Sequence, residues 1–227
     1  MKKCILLWMV VLTAMGFTAC ESNDDDYSLG KYWLSYGVIE GEEDSFHLKL
    51  DNGEILFPSA TAVPTFPIED GKRVLANYTI LDEATGYEDI DYLVKVNWLE
   101  EILTKDIIDL TESNADSIGN DPVQLHDIWL GGGFLNVNFA FDGGGTSHMI
   151  NLVRVESADP KGPVQLELRH NRKDDDDHYW VKATASFRLE SIEEAQKDSV
   201  EFVVTIKGYE DKSHTFNGTY VYGSNEE

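Results

Sequence analysis

The chain has 227 residues, 42% of them hydrophobic, enough for one large core or two smaller ones. Its 42 acidic against 18 basic residues give a formal charge of -24, a field that repels phosphate backbones and anionic headgroups and so excludes nucleic acid as a partner. Its two cysteines, Cys4 and Cys20, lie at the N-terminus, which excludes a disulfide framework and a cysteine metal site in the folded part.

Lys2 and Lys3 form a positive n-region, Ile5 to Leu12 is a short apolar run, and Phe17-Thr18-Ala19-Cys20 reads as a lipobox with Phe in place of the usual Leu. Thr13 and Gly16 interrupt the apolar stretch, which is short of the ~20 residues a membrane-spanning helix needs. Residues 1–19 are therefore expected to be a lipoprotein signal peptide and Cys20 the lipidated residue. Losing Lys2 and Lys3 makes the mature chain more acidic still. Residues 20–30 read as a solvated acidic tether. Within it, Ser22 and Asp24-Asp25-Asp26 resemble the signal that sends lipoproteins of Gram-negative gut anaerobes to the outer face. The expected location is the outer membrane, lipid-anchored and facing outward.

Strand patterns follow. Tyr32 to Ile39 is aromatic and β-branched, Phe46 to Leu50 alternates, and Asp51-Asn52-Gly53-Glu54 is a hairpin turn into Ile55-Leu56-Phe57. Pro58, Pro64 and Pro67 predict a loop. Val74 to Leu81 and Ile90 to Trp98 predict two further strands, and Leu99 to Lys105 a short helical patch. Residues 111–122, polar and without periodicity, predict an interdomain linker.

The second series alternates more cleanly. Leu135, Val137, Phe139 and Phe141 share one strand face, with Asn136 and Asn138 opposite. Met149 to Val155, Val164 to Leu168, Val181 to Leu189, Val200 to Ile206 and Thr215 to Tyr222 are further strands. Ser191 to Asp198 has room for one helical turn. Short strands at this spacing predict an all-β chain whose second domain, 115–222, is an antiparallel β-sandwich.

Landmarks in both halves carry a family resemblance. In the first half these are Tyr36-Gly37-Val38, Leu50-Asp51-Asn52-Gly53, Asp70-Gly71-Lys72-Arg73-Val74 and Asn77-Tyr78-Thr79-Ile80. In the second they are Asp127-Ile128-Trp129, Leu135-Asn136-Val137, His148 to Val153 and Leu166 to Asn171. In order and spacing, over nearly all of the mature chain, these resemble the NigD-like lipoproteins. The resemblance implies an OB-like barrel over 31–110 joined to the sandwich. It also implies no catalytic residues, and a name drawn from a bacteriocin locus where an immunity role is proposed.

An OB-like barrel invites a single-stranded nucleic acid. Six basic residues against seventeen acidic ones between Lys31 and Leu110 argue against it. Saccharide stacking on Tyr32, Trp33, Tyr36, Tyr78, Tyr87, Tyr92 and Trp98 is the alternative, with core packing the commoner use of such rings. The most chemical-looking segment is His170 to His178, where two imidazoles bracket four carboxylates. His170, Asp175, Asp177 and His178 are its candidate metal ligands. The spaced pattern of a calcium loop is absent, and a solvated hairpin tip is the expected structure. His170 shares a face with Val164, Leu166 and Leu168, which predicts a buried, hydrogen-bonded ring. His148 is in phase with Ile150 and Leu152, so the two rings approach each other if their strands pair.

The glycine runs 131–133 and 143–145 lack a following Lys-Ser/Thr and read as turns or bulges. No Gly-x-Ser-x-Gly or His-Glu-x-x-His motif occurs. The expectation is a non-catalytic interaction lipoprotein without a cofactor, held to the membrane by its lipid and favouring a cationic protein or peptide partner. A glycan- or metal-binding accessory lipoprotein is the second reading, which one contiguous patch of exposed aromatics would favour.

Overall fold

The computed structural model describes residues 29–175 and 179–223; the leader, Cys20, most of the tether, Asp177 and His178 lie outside the described residues. Five strands close a barrel: β1 (Trp33–Glu40), β2 (His47–Leu50), β3 (Ile55–Thr61), β4 (Arg73–Glu83) and β5 (Tyr92–Glu101). Their order is β1-β2-β3-β5-β4, with β3 and β5 parallel and the other neighbours antiparallel. Alternation sends Leu48, Leu50, Val74, Ala76, Tyr78, Val94 and Val96 inward as its core. Pro58, expected in a loop, lies inside β3 where the pairing with β5 shifts register, a place that tolerates a missing N–H.

The predicted helical patch at 99–105 is instead extended. Leu99 to Glu101 continue β5, paired with β4 from Val74 to Ala76, and Leu103–Asp106 is again a strand. Beyond buried Ile102 the chain enters the sandwich as β6 (Leu103–Asp106), turns on buried Ile107, and joins the opposite sheet as β7 (Ile108–Asp109). The sandwich therefore begins at Leu103, and 111–122 is no linker between domains. That segment carries a short helix, α1 (Ala115–Ile118), and is tied to the sandwich by Asp121 N–H to His170 O at 2.7 Å and Asn171 Nδ2 to Ser117 O at 2.9 Å. Its polarity marks a surface crossing, not a hinge.

The remaining strands are β8 (Gln124–Gly131), β9 (Phe134–Gly143), β10 (Met149–Arg154), β11 (Val164–Asn171), β12 (Tyr179–Arg188), β13 (Ser199–Lys207) and β14 (Ser213–Val221). They complete a five-stranded sheet, β14-β13-β11-β10-β7, facing a four-stranded one, β6-β12-β9-β8. Hairpin neighbours pair antiparallel, while β6 with β12, β7 with β10 and β11 with β13 are parallel, because these partners are linked through other elements rather than by tight turns. Leu135, Val137, Phe139, Phe187, Phe202 and Leu166 fill the space between the sheets. Leu189–Ile192 forms one 3-10 turn, a little earlier than its predicted place.

Candidate functional site

Three polar assemblies define what the molecule can do chemically. The first joins the domains. Arg73 faces outward from the barrel on β4, yet it is only 1% exposed, because that outer face meets the outer face of the four-stranded sheet. Its guanidinium grips Asp51 bidentately at 2.8 and 2.7 Å, and its Nη2 also donates to Asn136 Oδ1 at 2.9 Å. Its Nε donates to Ser186 Oγ at 2.9 Å, and Ser186 donates to Asn136 Oδ1 at 2.7 Å. Phe134 lies beneath the cation, 4.1 Å from ring centroid to Cζ, and Tyr36 packs on Trp129 beside it. A charge taken from water is tolerable only when paired and hydrogen-bonded, and here all three guanidinium nitrogens donate. Alternation placed Asn136 opposite the core face without saying what covers it. Asp51, Arg73, Trp129 and Asn136 all fall in the landmark segments of the sequence, and the structure brings them to one point.

The second assembly is a buried chain of three side chains. His148 Nδ1 lies 2.8 Å from His170 Nε2, and His148 Nε2 lies 3.1 Å from Asp175 Oδ2. The strand phases predicted the approach of the rings: β10 and β11 pair with Ile150 opposite His170, and Phe141 from the facing sheet covers both rings. Asp175 was expected in a solvated tip, but it is buried and accepts the backbone N–H groups of Gly144, Gly145 and Thr146, each at 2.9 Å. The glycine run thus makes an anion-binding nest occupied by the protein's own carboxylate. Lys173 and Asp174, with φ of 52° and 58°, bend the chain so that Asp175 can reach it.

The acceptors at the two ends of this chain orient its rings. The Pro122 carbonyl, 3.3 Å from His170 Nδ1, can only accept, so that nitrogen carries a proton. Asp175, already accepting three backbone N–H groups, accepts from His148 Nε2 as well. Burial first, and the neighbouring His148 second, hold His170 below the usual imidazole range, with the Pro122 carbonyl and Asp121 opposing them. Of the four predicted metal ligands, His170 and Asp175 meet only through His148, and the ring nitrogens point at each other rather than at a common centre. Among the described residues no group of three or more His, Cys, Asp or Glu is arranged to hold a metal.

The third is a cleft of about 410 Å³ between barrel and sandwich, lined by Tyr36, Leu75, Glu100, Leu103, Asn138 and Lys182. Nothing in the local pattern of the sequence marks it, since its walls come from both domains. Of the aromatics read as stacking candidates, Tyr78 is in the barrel core, Trp33 and Tyr92 pack against it, and Tyr32, Tyr87 and Trp98 are exposed.

An OB-type barrel fastened to a β-sandwich by a buried arginine defines a two-domain all-β protein. The NigD-like N-terminal OB domain matches residues 37–102 and the NigD-like C-terminal β-sandwich domain matches 106–220. The chain belongs to the NigD-like family. It is similar to a toxin-related protein from Parabacteroides distasonis, with 30% identity over 85% of this chain and 95% of that one and a TM-score of 0.72. A protein of unknown function from Bacteroides vulgatus shares 27% identity over 87% and 95%, with a TM-score of 0.73. A NigD-like immunity protein from Bacteroides caccae has the same fold at 22% identity over 87% and 99%, with a TM-score of 0.67. No curated protein matches the chain significantly.

Proposed function

We propose that this chain is a lipid-anchored, outward-facing lipoprotein that binds a cationic protein or peptide without catalysis and so protects the cell that carries it. The observation behind this reading is how the interior polar groups are used. Arg73 is spent on joining the domains, and His148, His170 and Asp175 are spent on each other and on the 143–146 turn. Recognition then falls to a rigid exterior whose charge is strongly negative, and such a field speeds encounter with basic partners. The similarity to a toxin-related protein and the family's bacteriocin association favour immunity as the outcome of binding. Cys20→Ser is expected to release the protein from the membrane fraction; retention would contradict the anchor. Deleting the gene is expected to sensitise the cell to the cationic bacteriocin it withstands, and unchanged sensitivity would remove the immunity role.

A further inference from the structure

The outward face of β4 runs from the joint past the cleft: Arg73 is in the joint, Leu75 lines the cleft, and Asn77, covered by its neighbours, lies beyond it. Register places Tyr36, Leu75 and Glu100 in one row across β1, β4 and β5, and Leu34, Asn77 and Trp98 in the next. This wall gathers exposed apolar side chains. Tyr32 is 64% exposed, Leu34 53% and Trp98 38%, while Leu103, 48% exposed, continues the strip into the cleft.

The display of Trp98 is built. The ladder between β4 and β5 slips at Asn97, so that Asn97 and Trp98 both lie between inward-facing Val96 and Leu99. Asn97 Nδ2 donates to Asn77 Oδ1 at 2.9 Å and Thr79 Oγ1 at 3.1 Å, fixing the bulge against the outward side chains of β4. Bulges commonly re-aim a side chain in this way beside functional surfaces. Glu100 stands two residues beyond Trp98 on the same face, about 7 Å along the strand. Its neighbour Glu101 is engaged by Lys72 at 3.5 Å, whereas Glu100 has no ion-pair partner among the described residues.

We infer that this wall and the cleft it leads into form the docking surface for a basic, extended polypeptide segment. The inference rests on the capture reading above and names its site. An arginine or lysine stem lies along the Trp98 indole and its charge meets Glu100, the geometry of a cation–π contact closed by a carboxylate. Apolar residues alternating with the basic ones meet Leu34 and Leu103. Charge selects the occupant: the barrel's surplus of acidic residues repels an acidic segment and attracts a basic one. Lys182, on the sandwich wall, limits how far a basic run extends and receives the segment's carbonyls.

The test uses the mature chain carrying Cys20→Ser, titrated calorimetrically with a hexapeptide of alternating arginine and leucine, its glutamate counterpart, and cellohexaose. The basic peptide is expected to bind, with affinity lowered about five- to tenfold by Glu100→Gln and by Trp98→Ala, and less by Trp98→Phe. Trp180→Ala and Glu201→Gln, on the sandwich, should bind as the parent does. Glu100 is exposed, so Glu100→Gln keeps the test valid if Trp98→Ala is poorly folded. Equal binding by all variants would overturn this surface and leave the capture reading standing. No preference for the basic over the acidic peptide would overturn both. Cellohexaose binding that is lost in Trp98→Ala but kept in Glu100→Gln would make the wall a saccharide site and overturn the peptide assignment.

Discussion

Arg73 is the residue whose loss should be felt most. Removing its guanidinium strands the Asp51 carboxylate, whose side chain is 18% exposed, together with Asn136 and Ser186 at a buried contact. Arg73→Ala is expected to cost about 3 kcal/mol by denaturant titration, and Arg73→Lys about as much, because an ammonium cannot reproduce a fork that reaches three partners. The histidine pair makes a prediction about pH. Unfolded, His170 titrates near 6.5; folded, burial holds it lower. Between those values the unfolded chain binds more protons, so the stability is present above 6.5 and is lost as pH falls through and below it. A second proton on the pair would also break the bond between the rings. Comparing denaturation midpoints at about pH 7.5 and 5 should show a larger acid loss in the parent than in His170→Gln, since carboxylate effects are common to both. An equal loss would refute the burial-lowered titration of His170.

Among the elements, the β8–β9 turn shows how local geometry serves the joint. Gly132 has φ of 59°, and a Cβ there would come within 2.6 Å of Asp51 Oδ1, so alanine would strain the backbone and push the carboxylate off Arg73. At Gly86, in the β4–β5 turn, φ is 93° but the space is open. Gly86→Ala is expected to cost about 1 kcal/mol and Gly132→Ala at least twice that, measured by the same titration. Equal costs would mean that Asp51 can move freely, which its hydrogen bonds deny. The elements also show where reading the chain in order succeeds. Alternation located the strands and their inward faces, because a pleated strand with one buried side has a period of two whatever its partner. It failed at 99–105, where Leu99, Ile102 and Leu103 recur at a helical spacing, and the outcome depended on β4, which pairs with 99–101 and accepts the Ile102 N–H at Arg73 O.

For the whole molecule, the joint implies a single cooperative unit. Calorimetry is expected to give one unfolding transition for the mature chain and two, or a broadened one, for Arg73→Ala, because the barrel and sandwich cores are separate and the joint couples them. Limited proteolysis should spare 111–122, tied to β11, and cut first at exposed turns such as 156–162 or 193–198. By itself the sequence determined the all-β class, the order of barrel and sandwich, and the core-facing phase of His170 and His148 on their strands. Each of these is written in local periodicity or in the order of landmarks. The tertiary structure alone decided that Arg73 is buried, that Asp175 turns inward to fill a nest, that the sandwich begins at Leu103, and that Trp98 and Glu100 share a wall beside the cleft. These depend on which outer faces meet: an outward-pointing side chain looks the same in sequence whether water or another domain covers it.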